Sequence, residues 1–248
     1  MARGRHKSGA CHICGNYGRL SPEHVPPRSA FNDTRIIEYT LESWFTKESN
    51  PKGRIQQGGI KRYTLCTQCN NDTGSWYGSE YVSWAQTCME FLSQVPDNIA
   101  EIGIVLQGVY PLRFLKQVVT CFFSIFPNER YAQANPSLVK FVLNKEENTL
   151  PSEYQFFVSL YRGPQLRQNP LSGLINPATG EMSILSEIAH PPFALVMTQG
   201  SESRRGTNIT HFKEYKYGDQ TDLVLRLKVG EGHTPYPGDY HISRNTQI

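Results

Sequence analysis

The sequence predicts an α+β protein: a small zinc-stapled module followed by a larger α+β domain with a mainly antiparallel sheet. Three observations predict it. Two Cys-x-x-Cys pairs, Cys11/Cys14 and Cys66/Cys69, bracket the first stretch of chain. Two apolar helical runs follow, one after Gly74 and one ending before Pro127. Beyond Pro151, short apolar runs alternate with Gly, Pro and Asn turns and read as strands. The organisation expected is a flexible basic lead-in (1–9), the zinc module with its trailing helix (10–95), and an α+β domain (96–248) for target selection, sensing or oligomerisation.

The bulk numbers narrow the function classes. The chain has 248 residues, 38% of them hydrophobic, with 13 Tyr and 12 Phe, a composition that argues against disorder. No apolar run is long enough to span a bilayer. The basic start, Met1 to Lys7, is not followed by the apolar stretch of a secretory signal, so a cytoplasmic location is expected. Residues 1–75 hold 11 Lys+Arg against 6 Asp+Glu, and the rest holds 14 against 16. The basic excess lies on the segment with the paired cysteines and suits a polyanionic partner such as nucleic acid.

Taken in order, Cys11-His12-Ile13-Cys14-Gly15 reads as a zinc knuckle, with Gly15 supplying the positive φ of a tight turn. His12, between the ligands, reads as a surface residue. Tyr17 to Val25 reads as a strand, stopped by Pro26-Pro27. Residues 28–60 read as an irregular insertion: Ile36–Phe45 is a short helix or strand, and Lys47–Gly59 a mobile loop. Ile60–Leu65 reads as a strand with Lys61 and Tyr63 on one side. Cys66–Cys69 is the second knuckle and leads into an amphipathic helix whose start is disturbed by Gly74 and Gly78. Ile99–Val109 is strand or loop, Leu112–Phe126 a core helix, and Ser137–Leu143 a surface helix. Strands are expected at Tyr154–Tyr161, Gly173–Ile175, Ile184–Ile188, Phe193–Met197, His211–Tyr217 and Leu223–Val229. Two cysteine pairs without an export signal favour zinc held by four thiolates over disulfide or redox pairing. Cys88 and Cys121 stand in apolar helical contexts and read as buried small hydrophobes. His190, His211, His233 and His241 have no partner at metal-ligand spacing.

Cys-x-x-Cys, then Glu23-His24-Val25-Pro26-Pro27, then Leu65-Cys66-Thr67-Gln68-Cys69-Asn70 together resemble the HNH endonuclease family, in its zinc-containing, four-cysteine branch. The resemblance covers roughly residues 10–75. It implies a ββα-metal module of two antiparallel strands and a helix, in an endonuclease that hydrolyses phosphodiester bonds. It implies that His24 is the general base, that Glu23 and Asn70 hold a catalytic Mg²⁺ or Mn²⁺, and that Cys11, Cys14, Cys66 and Cys69 hold a structural Zn²⁺. One position departs: Lys61 stands where the family has the Asn that orients the histidine. That role then falls to a backbone carbonyl or to a residue of the 28–60 insertion. Family analogy points to restriction, phage defence or mobile elements.

The chemistry agrees with these roles. A neutral histidine can take a proton from water, and a carboxylate with a carboxamide offers hard oxygen donors to Mg²⁺. Zinc bound by four thiolates has no open position and is structural. Arg28, Lys61 and Arg62 are candidate phosphate contacts. The expected partner is nucleic acid, foremost double-stranded DNA, with a homo-oligomer or regulatory partner through the C-terminal domain. The alternative is a non-catalytic zinc module that binds nucleic acid or protein.

Overall fold

The computed structural model describes residues 7–39, 53–163, 165–175, 178–180, 182–200, 206–230 and 239–243. Most of the expected lead-in, the middle of the 28–60 insertion, the turn at Asn176-Pro177 and His233 lie outside the described residues. The elements run β1 (Ser8–Ala10), β2 (Tyr17–His24), β3 (Ile36–Tyr39), β4 (Arg54–Gln56), β5 (Lys61–Cys66), α1 (Thr67–Thr73) and α2 (Ser79–Gln94). Then come β6 (Glu101–Val109), α3 (Pro111–Ile125), α4 (Arg130–Ala134), α5 (Pro136–Leu143) and β7 (Tyr154–Tyr161). The last are β8 (Gln165–Ile175), β9 (Met182–His190), β10 (Phe193–Gln199), β11 (Thr207–Asn208), β12 (Thr221–Gly230) and β13 (Asp239–Ser243). The fold is α+β with a mainly antiparallel sheet, as the sequence predicts.

A three-stranded sheet, ordered β1-β2-β5, carries the cysteine pairs. The register of β2 on β5 shifts between Ser21 and Glu23, at Pro22, which has no N–H to give the ladder. A single helical path then runs from Thr67 to Gln94, with a π-helical turn at Gly74–Gly78 joining α1 to α2. The irregularity expected from Gly74 and Gly78 is this turn. The larger sheet runs β4-β3-β13-β8-β9-β10-β7-β12-β6, with β11 beside β7. Among the described residues its pairings are antiparallel except β12 on β7.

Three elements differ from the sequence reading. The insertion is not irregular throughout: β3 pairs with β4 and with β13, and so joins the large sheet. Strand β8 starts eight residues earlier than Gly173, at Gln165. A register shift between Asn169 and Ser172 absorbs Pro170, whose missing donor hides the strand in the sequence. Finally, Thr210–Glu214 is a 3₁₀ turn, not a strand. The Asn208 Oδ1 accepts from Thr210 N at 2.8 Å and starts the turn, which buries Phe212 against Trp84.

Helix α3 is the centre of the core, buried on nearly every side. Phe114 stacks on Trp84 of α2 with centroids 4.0 Å apart and meets Phe193 of β10 edge-on at 5.7 Å. Glu80 accepts from Trp84 Nε1 at 2.7 Å and from Tyr110 N at 2.9 Å, which ties α2 to the start of α3. One buried cluster holds Cys11, Val25, Leu65 and Cys69 together with Phe114, Phe193 and Leu195. The apolar core is therefore shared across the boundary expected at residues 95–96. Among the described residues, no helix is long and apolar enough to cross a membrane.

Candidate metal centre and adjoining cleft

The four cysteines come together. Their Sγ atoms all lie within 4.8 Å of one another, and Cys14 Sγ is 3.9 Å from Cys66 Sγ. Zinc–thiolate bonds of about 2.3 Å set a tetrahedral edge near 3.8 Å, so the donors fit a structural zinc. The first knuckle turns at Gly15, whose φ is +74° and whose N–H donates to Cys11 O at 2.9 Å. In the second, Cys66 ends β5 and caps α1, with its Sγ accepting from Cys69 N at 3.4 Å. A hydrogen bond from Cys69 holds the Cys11 thiol down to about 4, and the same bond pushes Cys69 up. His12 does not join the cluster; it is half-buried, and its Nδ1 has no partner among the described residues. Cys88 and Cys121 are buried apart, and burial pushes both thiols up to about 12.

A cleft of about 340 Å³ is lined by Glu23, His24, Arg28 and Asn70, and across from them by Gln117 and Ser124 of α3. Glu23, beyond the register shift at Pro22, is only 5% exposed and is hydrogen-bonded to the Thr64 hydroxyl. That hydroxyl also lies 3.0 Å from Ser124 O. A carbonyl only accepts, and Thr64 has one hydroxyl hydrogen. Both contacts are satisfied when a protonated Glu23 donates to Thr64 and Thr64 donates to Ser124 O. Burial agrees, pushing the Glu23 carboxyl up to about 8.

His24 Nε2 lies 2.9 Å from Gly58 O. Because the carbonyl only accepts, Nε2 carries the hydrogen and the neutral ring keeps its lone pair on Nδ1. Burial lowers the His24 pKa, the Gly58 carbonyl opposes this, and the charges of Lys61 and Arg28 lower it further. Burial and these charges thus favour the neutral ring. Asn70 Nδ2 donates to Ser21 Oγ at 3.0 Å and to Pro22 O at 3.4 Å, which leaves its Oδ1 without a protein partner among the described residues. Glu23 and Asn70 therefore bring to one cleft a carboxyl, which binds a cation only on losing its proton, and a carboxamide oxygen. That donor set fits a hard divalent cation.

The three candidate phosphate contacts fall in different places. Arg28 is exposed and lines the cleft. Lys61 pairs in register with His24, and its Nζ donates to Gln57 O at 3.0 Å. Arg62 faces the large sheet, donating from Nε and Nη2 to Gln168 Oε1 at 2.9 and 2.6 Å and pairing with Glu38 at 3.2 Å. Neither Lys61 nor Arg62 lines the cleft. Gln168 Nε2 in turn donates to Val25 O at 2.8 Å, so β8 braces the residue after His24.

Sequence reasoning missed Thr64, Gly58, Gln168 and the α3 side of the cleft. One signal was present: Gln117, Thr120 and Ser124 recur at spacings of three and four within an apolar helix, a polar stripe on one face. Nothing comparable marks Gly58 or Gln168, which reach the site only through the tertiary fold. His190 and His211 stay apart, the first buried with Nδ1 at 2.9 Å from Pro191 O, the second edge-on to Phe212. Compared with known proteins, the chain matches no family model, no curated protein and no solved structure.

Proposed function

We propose that this protein is a metal-dependent endonuclease of HNH type that hydrolyses phosphodiester bonds, with double-stranded DNA as its foremost substrate. One observation carries the reading. The adjacent pair Glu23 and His24 at the end of β2 and Asn70 of α1, 46 residues further on, line the same cleft, on elements next to a four-cysteine cluster. The order of elements supports it as well: two antiparallel strands, β2 and β5, with α1 starting directly after β5.

In this reading His24 accepts the proton of the attacking water at Nδ1, the atom the Gly58 carbonyl leaves free. Glu23, after losing its proton, and Asn70 would hold Mg²⁺ or Mn²⁺, whose chemistry there would be to offset charge on the phosphate and the leaving oxygen. Arg28 takes a phosphate oxygen at the cleft mouth. The four cysteines would hold a zinc that pins the end of β5 and the start of α1, where Asn70 is hydrogen-bonded to Ser21 of β2.

The test is digestion of plasmid DNA and of single- and double-stranded oligonucleotides, DNA and RNA, with Mg²⁺ or Mn²⁺. The wild-type chain should cut, and His24→Ala should lose on the order of 10²- to 10⁴-fold in rate with its zinc retained. Equal rates for the two proteins across metals and substrates would leave the non-catalytic zinc module as the reading.

A further inference from the structure

We infer that Asn32 and Gly59 are positioning residues that hold the Gly58 carbonyl on His24 and so set the tautomer and orientation of its ring. Both lie in the 28–60 insertion, and the geometry is specific. Asn32 is 1% exposed, and its side chain makes three hydrogen bonds to backbone. Its Nδ2 donates to Pro26 O at 2.7 Å and to Ile60 O at 3.2 Å, and its Oδ1 accepts from Ile60 N at 2.7 Å. Both amide hydrogens are thus used to join the turn after His24 to the residue that follows Gly59.

The backbone closes the same strap. Val25 N donates to Ile60 O at 3.2 Å, Gly59 N to Thr34 O at 2.7 Å, and Asn32 N to Arg28 O at 3.1 Å. The Gly58–Gly59 peptide, through Gly59 N, and Ile60 just after it are therefore tied to the segment that leaves His24. Gly59 has a φ of +86°, and a Cβ built on it would fall 1.9 Å from Asn32 O. A side chain there forces the strap away from Asn32, so close backbone approach requires glycine. The Gly58 carbonyl has little freedom left, and a fixed acceptor facing Nε2 keeps the proton on Nε2 and the lone pair on Nδ1. This device takes up the role that Lys61 cannot fill, since a lysine ammonium has no acceptor for a ring N–H.

The catalytic part of this inference rests on the endonuclease reading; the part about the ring does not. The first measurement therefore needs no activity: ¹⁵N-histidine NMR of the zinc-loaded full chain, with His24 assigned by its absence in His24→Ala. A neutral His24 ring protonated at Nε2, with that proton slow to exchange with water, is expected. A ring protonated at Nδ1, or an Nε2 proton that exchanges freely, overturns the inference.

Asn32→Asp keeps the side-chain volume and an acceptor for Ile60 N but loses both donors. It should lose the protected Nε2 proton, and kcat should fall at least ~10-fold while KM stays within about twofold. In a His24→Ala background the same change should have no further effect on rate, which a purely structural role would not predict. Asn32→Asp with an unchanged ring proton and unchanged kcat overturns the inference. If the wild-type chain cuts nothing, the endonuclease reading fails and the NMR result alone decides the role of Asn32. Should Asn32→Asp not fold, a wild-type ring protonated at Nδ1, or an Nε2 proton that exchanges freely, still overturns the inference.

Discussion

Replacing Glu23 by Gln should make the magnesium-free protein more stable, and the gain should grow with pH. The carboxyl stands at about 8 in the fold against an ordinary 4.5, because burial disfavours its charged form. A raised carboxyl contributes its relative stability below the unfolded value and loses it as pH rises through the folded one. The window is therefore between 4.5 and about 8. At about 1.4 kcal/mol per pH unit, the zinc-loaded wild type should lose about 2 kcal/mol between pH 6 and pH 8 from this group alone. Near pH 7 the neutral amide of Glu23→Gln should be more stable than wild type by up to about 3 kcal/mol. The assay is urea unfolding of both proteins at pH 6 and pH 8, with zinc bound and no other divalent cation. Other titrating groups cancel in the difference between the proteins. Millimolar Mg²⁺ at pH 8 should then stabilise wild type and leave Glu23→Gln unchanged. A wild-type-minus-variant difference that stays constant between the two pH values refutes the buried-carboxyl argument. Stabilisation of both proteins alike by Mg²⁺ refutes Glu23 as its ligand.

Two further outcomes follow from other parts of the molecule. Cys66→Ser removes a thiolate from the four-cysteine cluster and the Sγ cap of α1; metal analysis should find zinc falling from one per chain to none, with loss of folded protein by circular dichroism. A normally folded, zinc-free Cys66→Ser chain sinks the staple. Gln168→Met leaves the Val25 carbonyl and the Arg62 guanidinium without the amide that joins them, at a cost of about 1–3 kcal/mol in denaturant unfolding. A change within about 0.5 kcal/mol of wild type would show that this brace is dispensable.

The parts that the sequence made legible share a physical cause: each is written in neighbouring residues. A Cys-x-x-Cys pair is a local turn, and helices such as α3 announce themselves by runs of apolar residues between Pro111 and Pro127. Strand β7 matches its expected bounds at Tyr154 and Tyr161 because no proline or glycine interrupts it. The errors have causes of the same kind. Pro170 hides the first half of β8 until a bulge is known to absorb it. The mixed periodicity of Ile36–Phe45 leaves helix and strand open until β13, from the far end of the chain, pairs with β3, and β4 lies within the stretch that reads as a loop.

The sequence by itself determined the four cysteines, the Glu23-His24 pair beside them, Asn70 after the last cysteine, and an α+β chain with a buried central helix. Each of those depends on residue type at short spacing. Only the tertiary structure decided that Glu23 is buried against Thr64, that Arg62 turns to Gln168, and that the Gly58 carbonyl faces His24. Those contacts join residues far apart in the chain. They depend on a bulge, a strap and a packed helix rather than on any local pattern, because a hydrogen bond records where two atoms meet and not how far apart they were written.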